Sequence, residues 1–596
     1  MRLTKTLRPG LWPVATALAT LVVLMVGLGT AEPATNDPPQ HARVKKKPAP
    51  KILTKTPRIG PLPKTALGHP SLGPKRDGAT KIEPRKLGAT KEHENLRHKG
   101  PGPGLTKTTS RTPDARLTRN GPNALRDARG PRAHIVSAAT PALRQIQRLN
   151  LRSAIQATRQ RLPVHPLPGE RNFTGVPLAG ETRFLTTELV FNVGPNVSQQ
   201  TIDDFARRHN CVAVGTQRSA LTGGTLIRFQ VAGGTAIADM VSAMEAEQLG
   251  VAQPNYVYET FEQQNTPALQ PAPDQYVIDK LKLAEVHKIA TGKGVLIAII
   301  DSQIDIKHPE LANSIADSFD AVGQPDKPHS HGTGMLGAIV SRGRLMGIAP
   351  DAKALAIHAF ATGKTQSPQA TTQSIIAGLD WALDKGARIV NMSFAGPYDP
   401  MLQVALKKAS ERGAILIAAV GNNGPTSPPL YPAADAHVIG VTATDRDDAP
   451  FSGANRGAYV AVAAPGVNIL EPAPDATYQL TTGTSVAAAH VSGVAALLLE
   501  RHPKADAAMI LEVLTASATK LDPNGRDDQV GWGLIDPASA LAELDARISD
   551  SEVATTTPTP TPTPAPPKTA APKPAPAPVK SALPRPGIYT PNSSAR

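Results

Sequence analysis

Three residues, far apart in a chain of 596, are of types and in settings that could do acid–base or nucleophilic chemistry. Asp301 follows the apolar run Val295-Leu296-Ile297-Ala298-Ile299-Ile300, which reads as a buried strand. Its carboxylate then stands at the strand's carboxyl edge, where it can orient a histidine or cap a turn. His331 lies in Ser330-His331-Gly332-Thr333-Gly334. These glycines permit a close-packed helix start and leave the imidazole exposed at the edge, as a proton carrier or as a capping histidine. Ser485 stands in Gly483-Thr484-Ser485-Val486-Ala487-Ala488-Ala489-His490, at the start of a helix of small residues. It is an N-cap there, or a nucleophile whose hydroxyl and resulting oxyanion face the positive helix terminus.

The elements that must position these residues come from a regular alternation. Strands are predicted over 295–300, 354–359, 388–392, 415–420 and 437–442. Helices are predicted after Ser330, over 372–385 with Gly386 closing, over 401–412 and over 485–501. Continuous apolar strands alternating with helices predict an α/β fold, a parallel sheet covered on both faces with its chemistry at the strands' carboxyl ends. Upstream, strands over 186–193, 211–214, 225–231 and 251–258 interleave with helices over 199–209, capped by Ser198, and 235–248. That β-α-β-β-α-β order predicts a small ferredoxin-like α+β domain.

Charge and proline mark off the two ends. Residues 1–180 hold 32 basic and 9 acidic side chains and the remainder 32 and 40, so the net charge of +15 belongs to one end. Residues 1–31 begin with Arg2, Lys5 and Arg8, continue through an apolar run and end in Gly29, Thr30 and Ala31, the pattern of a secretory signal or, uncleaved, a membrane anchor. Residues 32–180 carry 21 prolines and read as a disordered basic arm. With almost no aromatic residues for base stacking, the arm suits a solvated tether or non-specific contact with anionic envelope polymers or lipids, and no specific nucleic acid. Residues 548–596 read as a disordered Thr/Pro/Ala-rich tail. The single Cys211 excludes an intramolecular disulfide framework.

In their order, these segments resemble the signature regions of the subtilisin-like serine proteases, the subtilases. Asp301-Ser302-Gln303-Ile304-Asp305 is similar to that family's aspartate motif, residues 330–334 to its histidine motif and residues 483–493 to its serine motif. Ala418-Ala419-Val420-Gly421-Asn422-Asn423-Gly424 resembles the segment whose asparagine amide completes the oxyanion hole. Asn391-Met392-Ser393-Phe394-Ala395-Gly396-Pro397 resembles the strand that pairs with substrate. The resemblance implies a subtilisin-like catalytic domain over 272–547, a serine endopeptidase acting on proteins or peptides, with Asp301, His331 and Ser485 as its triad and Asn422 at the oxyanion. It also implies Ser393, Phe394, Ala395, Gly396 and Gly421 along the substrate. These wall segments carry no charge, so an uncharged residue is expected before the cleaved bond. The chain departs from the usual pattern at Gln303, Gly334 and Ala489, where a glycine, a second histidine and a proline are common.

The upstream domain, over 181–262, resembles the inhibitory propeptide of this family at Val251-Ala252-Gln253-Pro254-Asn255-Tyr256-Val257-Tyr258. The resemblance implies an intramolecular inhibitor, joined by residues 259–273 as an exposed, cleavable connector, with self-processing between 259 and 274 and a secreted or cell-envelope location. Glu310 matches a position that often supplies a calcium ligand. However, the loop Arg342-Gly343-Arg344-Leu345 is short and cationic, so no tight calcium site, and no cofactor, is expected.

Overall fold

The computed structural model describes residues 140–260, 263–265, 275–363 and 367–556. The signal-like segment, most of the basic arm and the tail beyond residue 556 lie outside them. The described chain opens with α1 (Pro141–Arg159), then β1 (Phe184–Val193), α2 (Gln199–Arg208), β2 (Cys211–Ser219), β3 (Gly224–Val231), α3 (Ile237–Glu245) and β4 (Gly250–Glu259). Ser198 caps α2, its hydroxyl accepting from Thr201 N at 3.1 Å. The four strands lie antiparallel in the order β2-β3-β1-β4 over a small core in which Phe191, Phe205 and Phe229 stack and tilt against one another.

After β5 (Gln263–Asn265), α4 (Val277–Lys280) and α5 (Leu283–Val286), the larger unit runs β6 (Leu296–Ser302), β7 (Ile315–Asp320), α6 (Ser330–Val340), β8 (Lys353–Phe360), β9 (Gln369–Thr371), α7 (Thr372–Asp384) and β10 (Ile389–Met392). It continues with α8 (Pro400–Glu411), β11 (Ile415–Ala419), β12 (Val438–Thr444), β13 (Val460–Pro465), the hairpin β14 (Ile469–Ala473) and β15 (Thr477–Thr482), α9 (Thr484–Arg501), α10 (Ala507–Ser517) and α11 (Pro537–Thr556). Seven strands form one parallel sheet, β13-β12-β11-β10-β6-β8-β7. Alternation along β6 explains why its sequence is apolar throughout. Ile297 and Ile299 join the core under α6, α9 and α10, and Ala298 and Ile300 the core under α7 and α8. After β6 the chain places β7 at the sheet edge and then β8 between β7 and β6, and returns to place β10, β11, β12 and β13 on the other side. The switch point therefore falls between β6 and β10, and a crevice at their carboxyl ends is where such a sheet binds ligands. β9 adds antiparallel to β4, so the two units share a sheet.

Residues 140–180 correct the expectation of a disordered arm up to 180. Thr140 caps α1, Pro141 occupies its first turn, and Arg144, Arg148 and Arg152 fall on one face at intervals of four. Arg144 and Arg148 pair with Asp550, and Arg152 with Glu512. Those acids sit on α10 and α11, around Arg547, whose guanidinium reaches Glu512 at 2.5 Å and Glu543 at 2.7 Å. High proline and charge over a long window concealed a helix whose charges are matched elsewhere in the chain. The same network carries α11 through Thr556, past the expected boundary at 547.

Arg547 is buried and Arg161, paired with Asp528, is mostly exposed, so the two ion pairs should weigh differently. Removing a buried partner strands charge and costs about 3–5 kcal/mol, whereas an exposed pair is worth up to about 1 kcal/mol. Urea unfolding of the full chain should show Arg547→Ala strongly destabilised and Arg161→Ala nearly unchanged; equal effects would contradict the burial-based ranking.

Candidate active site

The end of β6 fixes a carboxylate before any other element arrives. Oδ1 of Asp301 accepts from the backbone N of Ser302 at 2.7 Å, from Ser302 Oγ at 3.0 Å and from His331 Nδ1 at 2.7 Å. Gln303 leaves these contacts in place: its amide turns to the Ile304 carbonyl at 3.4 Å, and its own carbonyl accepts from His329 N at 2.7 Å.

His331 is the second residue of α6, and His329 caps that helix by accepting from His331 N at 3.1 Å. Gly332 N donates to Ser302 Oγ at 3.0 Å, and a Cβ on Gly332 would stand 2.5 Å from the Ser302 carbonyl oxygen. Only glycine lets the helix touch the strand this closely. At Gly334 a Cβ would meet Glu471 at 2.5 Å, and at Gly337 it would meet Pro472 at 2.1 Å, so β14 closes on the helix as tightly. This packing corrects the expectation of an exposed imidazole, because His331 has no accessible surface. With Nδ1 donating to Asp301, Nε2 is the ring nitrogen whose lone pair can take a proton.

Ser485 is the second residue of α9, whose N-cap is Gly483. Its Oγ donates to the Ser393 carbonyl at 3.2 Å, and Ser393 Oγ returns a bond to the Ser485 carbonyl at 2.9 Å. Behind them Asn391 Nδ2 donates to Ser393 Oγ at 2.9 Å, and Ser492 Oγ to Asn391 Oδ1 at 2.9 Å. The end of β10 is thereby latched to α9. Since α9 packs on α6 and β6, two helices in contact each open on one of the predicted residues.

Asn422 follows β11, and its Oδ1 accepts from Thr484 N at 3.0 Å and Thr484 Oγ1 at 2.8 Å. A backbone N–H can only donate, so Oδ1 is the amide atom that faces Thr484, and Nδ2 is the amide's donor. Thr484 was not singled out in the sequence, yet it also accepts from Gly421 N at 3.2 Å. Its position between the helix-capping glycine and Ser485 was the available signal. Gly421 has φ +101°, and a Cβ there would meet Leu430 at 2.8 Å.

Residues 393–396 are buried because the end of β4 lies on them. Glu259 N donates to the Ala395 carbonyl and Ala395 N to the Glu259 carbonyl, each at 3.1 Å. A Cβ on Gly396 would stand 2.3 Å from the ring of Tyr258. The start of the connector is therefore held, not exposed. Thr260 is buried, and Gln263, Gln264 and Asn265 pair antiparallel with Thr482, Thr481 and Leu480, just ahead of Gly483.

A carboxylate-oriented imidazole, a hydroxyl at a helix start and an amide donor at neighbouring strand ends are the parts needed for acyl transfer. A model of the family described as the Subtilase family matches residues 292–533. Thermitase of Thermoactinomyces vulgaris is 35% identical over 232 residues, covering 38% of this chain and 81% of thermitase. The chain belongs to the subtilase family. Subtilisin E of Bacillus subtilis (strain 168) is 34% identical over 278 residues, covering 44% of this subtilase and 70% of that enzyme. The minor extracellular protease Epr of the same organism is 34% identical over 285 residues, and the match spans 43% of Epr's length and 45% of this chain. The solved structure of fervidolysin from Fervidobacterium pennivorans, described as a keratinolytic enzyme related to subtilisin, shares the fold, with a TM-score of 0.54 at 24% identity over 64% of each chain.

Glu310 of this subtilase does not fit a calcium ligand. Its buried carboxylate already accepts from the backbone N of Gly343 at 2.9 Å, Arg344 at 2.8 Å and Leu345 at 3.1 Å, and from the Tyr478 hydroxyl at 2.8 Å. The loop presents N–H donors toward it, where a hard dication needs oxygens.

Deeper in α9, His490 Nδ1 donates to the Pro465 carbonyl at 2.8 Å, and burial holds its pKa down at about 4. The unfolded chain takes up that proton near pH 6.5 and the folded one only near 4, so stability falls as pH drops through this window, by on the order of 3 kcal/mol. His490→Asn keeps a donor for Pro465 but cannot titrate. Urea unfolding at pH 7 and pH 4 should show a smaller acid loss in this variant than in the wild type; an unchanged loss would place the acid sensitivity elsewhere.

Proposed function

We propose that this subtilase is a serine endopeptidase, made as a self-inhibited precursor and exported from the cytoplasm. The observation that carries the reading is the 2.7 Å contact between Asp301 and His331 at the head of a helix packed on the one that holds Ser485 in its first turn. In this mechanism Ser485 Oγ turns from the Ser393 carbonyl and attacks a peptide carbonyl carbon as His331 Nε2 takes its proton. Asp301 holds the imidazole tautomer and stabilises the cation that forms. Asn422 Nδ2 and the Ser485 N–H take up the oxyanion's charge, a donor of this kind being worth about 3 kcal/mol. His331 returns the proton to the leaving amine, and water then releases the acyl group from Ser485.

Residues 181–262 act as the propeptide in this reading, a ferredoxin-like inhibitor whose last strand occupies the place of substrate. The antiparallel Glu259–Ala395 pair supports it. We place the cut within residues 259–274, at a bond preceded by an uncharged residue to suit the uncharged walls. Cleavage in cis is favoured by the high effective concentration of a tethered strand. The saturated carboxylate of Glu310 supports a chain that does not depend on a tight calcium site there. Export is supported by the charged and apolar character of residues 1–31 and by the likeness to an extracellular protease. Among the described residues no helix is long and apolar enough to cross a membrane. For the basic residues ahead of α1, contact with anionic envelope polymers remains the proposed use.

The full-length wild type should yield a new N-terminus within residues 259–274, read by terminal sequencing, while Ser485→Ala should accumulate uncut. Trimming of Ser485→Ala at the same bond in a protease-free preparation would refute self-processing, and a wild-type terminus outside residues 259–274 would refute the connector as the site of the cut.

A further inference from the structure

Asp399 lies outside every motif read from the sequence, yet it stands where substrate would run. It caps α8, Oδ1 accepting from Leu402 N at 3.0 Å, while Oδ2 accepts from Thr372 Oγ1 at 2.7 Å. Both donors belong to the larger unit. Two further donors come from β4: Gln253 Nε2 reaches Oδ1 at 2.7 Å, and the Tyr258 hydroxyl reaches Oδ2 at 3.2 Å. Tyr258 immediately precedes Glu259, the residue paired with Ala395, so its side chain is the one this strand presents just upstream of that pair. Its ring is fully buried, lies on Gly396 where any Cβ would collide with it, and meets the Phe394 ring edge-on at 5.9 Å.

We infer that Asp399 is a specificity-determining residue, through which the enzyme, once freed of its N-terminal unit, selects a tyrosine-like side chain at the substrate position that Tyr258 occupies. The inference rests on the endopeptidase reading and names a preference within it. Gly396 and Phe394 form a wall that admits an aromatic ring, and Asp399 forms a floor that demands a donor from its far end. Thr372 and Leu402 keep the carboxylate oriented when β4 departs, so the acceptor persists in the free enzyme. A phenylalanine in this place would bury Oδ2 without its second donor. A polar site left unpaired in this way discriminates far more strongly than one missing apolar contact.

The test uses processed enzyme separated from its N-terminal fragment and three peptides with the sequence of residues 255–265, carrying tyrosine, O-methyltyrosine or phenylalanine in place of Tyr258. The tyrosine peptide should exceed the other two in kcat/KM by roughly ten- to a hundred-fold. Asp399→Asn should shrink that ratio several-fold, because its oxygen is needed by Leu402 N and the atom left facing the hydroxyl is then a donor. Should Asp399→Asn fail to fold, the wild-type peptide series decides alone. Equal hydrolysis of the three peptides by the wild type overturns this inference and leaves the endopeptidase reading standing; hydrolysis of none overturns both.

Discussion

Gly332 has room for a hydrogen atom and nothing larger, because a Cβ there would press to 2.5 Å on the carbonyl of Ser302. Most of what makes the site possible depends on that close approach. It allows the first turn of α6 to touch the end of β6, and only then does His331 come within 2.7 Å of Asp301. The same device recurs where Gly337 meets Pro472 and where Gly493 of α9 meets Ile348 at 2.5 Å. Helices this poor in side-chain volume bring backbone and polar groups together inside a water-excluding shell, where a satisfied hydrogen bond is strong and a broken one costly. Single added methyl groups at these glycines should therefore disturb the geometry more than substitutions of comparable size elsewhere.

A second consequence concerns how the two units meet. The smaller one docks by extending a sheet, β4 against β9, and by continuing that strand onto Ala395. These are main-chain bonds of the kind an extended peptide makes when it adds to a sheet edge. Side chains then secure the dock at the starts of two helices: Tyr256 N donates to Thr372 Oγ1 at 3.1 Å, and Gln253 Oε1 accepts from Met401 N at 3.0 Å. One strand thus both pairs with the chain at Ala395 and completes the polar needs of α7 and α8.

The apolar strands of the parallel sheet were legible because burial on both faces leaves an unbroken run, as in β6 and β11, and the helix stops because Gly386 adopts φ +84° just beyond α7. β7 escaped notice because Ile-Ala-Asp-Ser-Phe-Asp is a half-exposed edge strand with no such run. β14 carries a buried glutamate and a proline, Glu471 and Pro472, which composition assigns to loops. α1 was hidden by averaging over a proline-rich stretch, since its stabilising partners lie some 400 positions later, as with Arg144 and Asp550. Within the site, Asp301, His331 and Ser485 could be picked out by type and setting, and Asn422 and residues 393–396 through family resemblance. Thr484 and Asp399 could not, because their contacts arise from where β11 ends and α8 starts relative to chain segments distant in sequence.

The central claim is that Asp301 and His331 together activate the hydroxyl of Ser485, and it is tested most directly by covalent labelling. A fluorophosphonate probe added to the processed protein, followed by peptide mapping, should leave its adduct on Ser485 and nowhere else, and His331→Ala should abolish the adduct. A correctly folded, processed protein that takes up no probe, or carries it on another residue, would contradict the account.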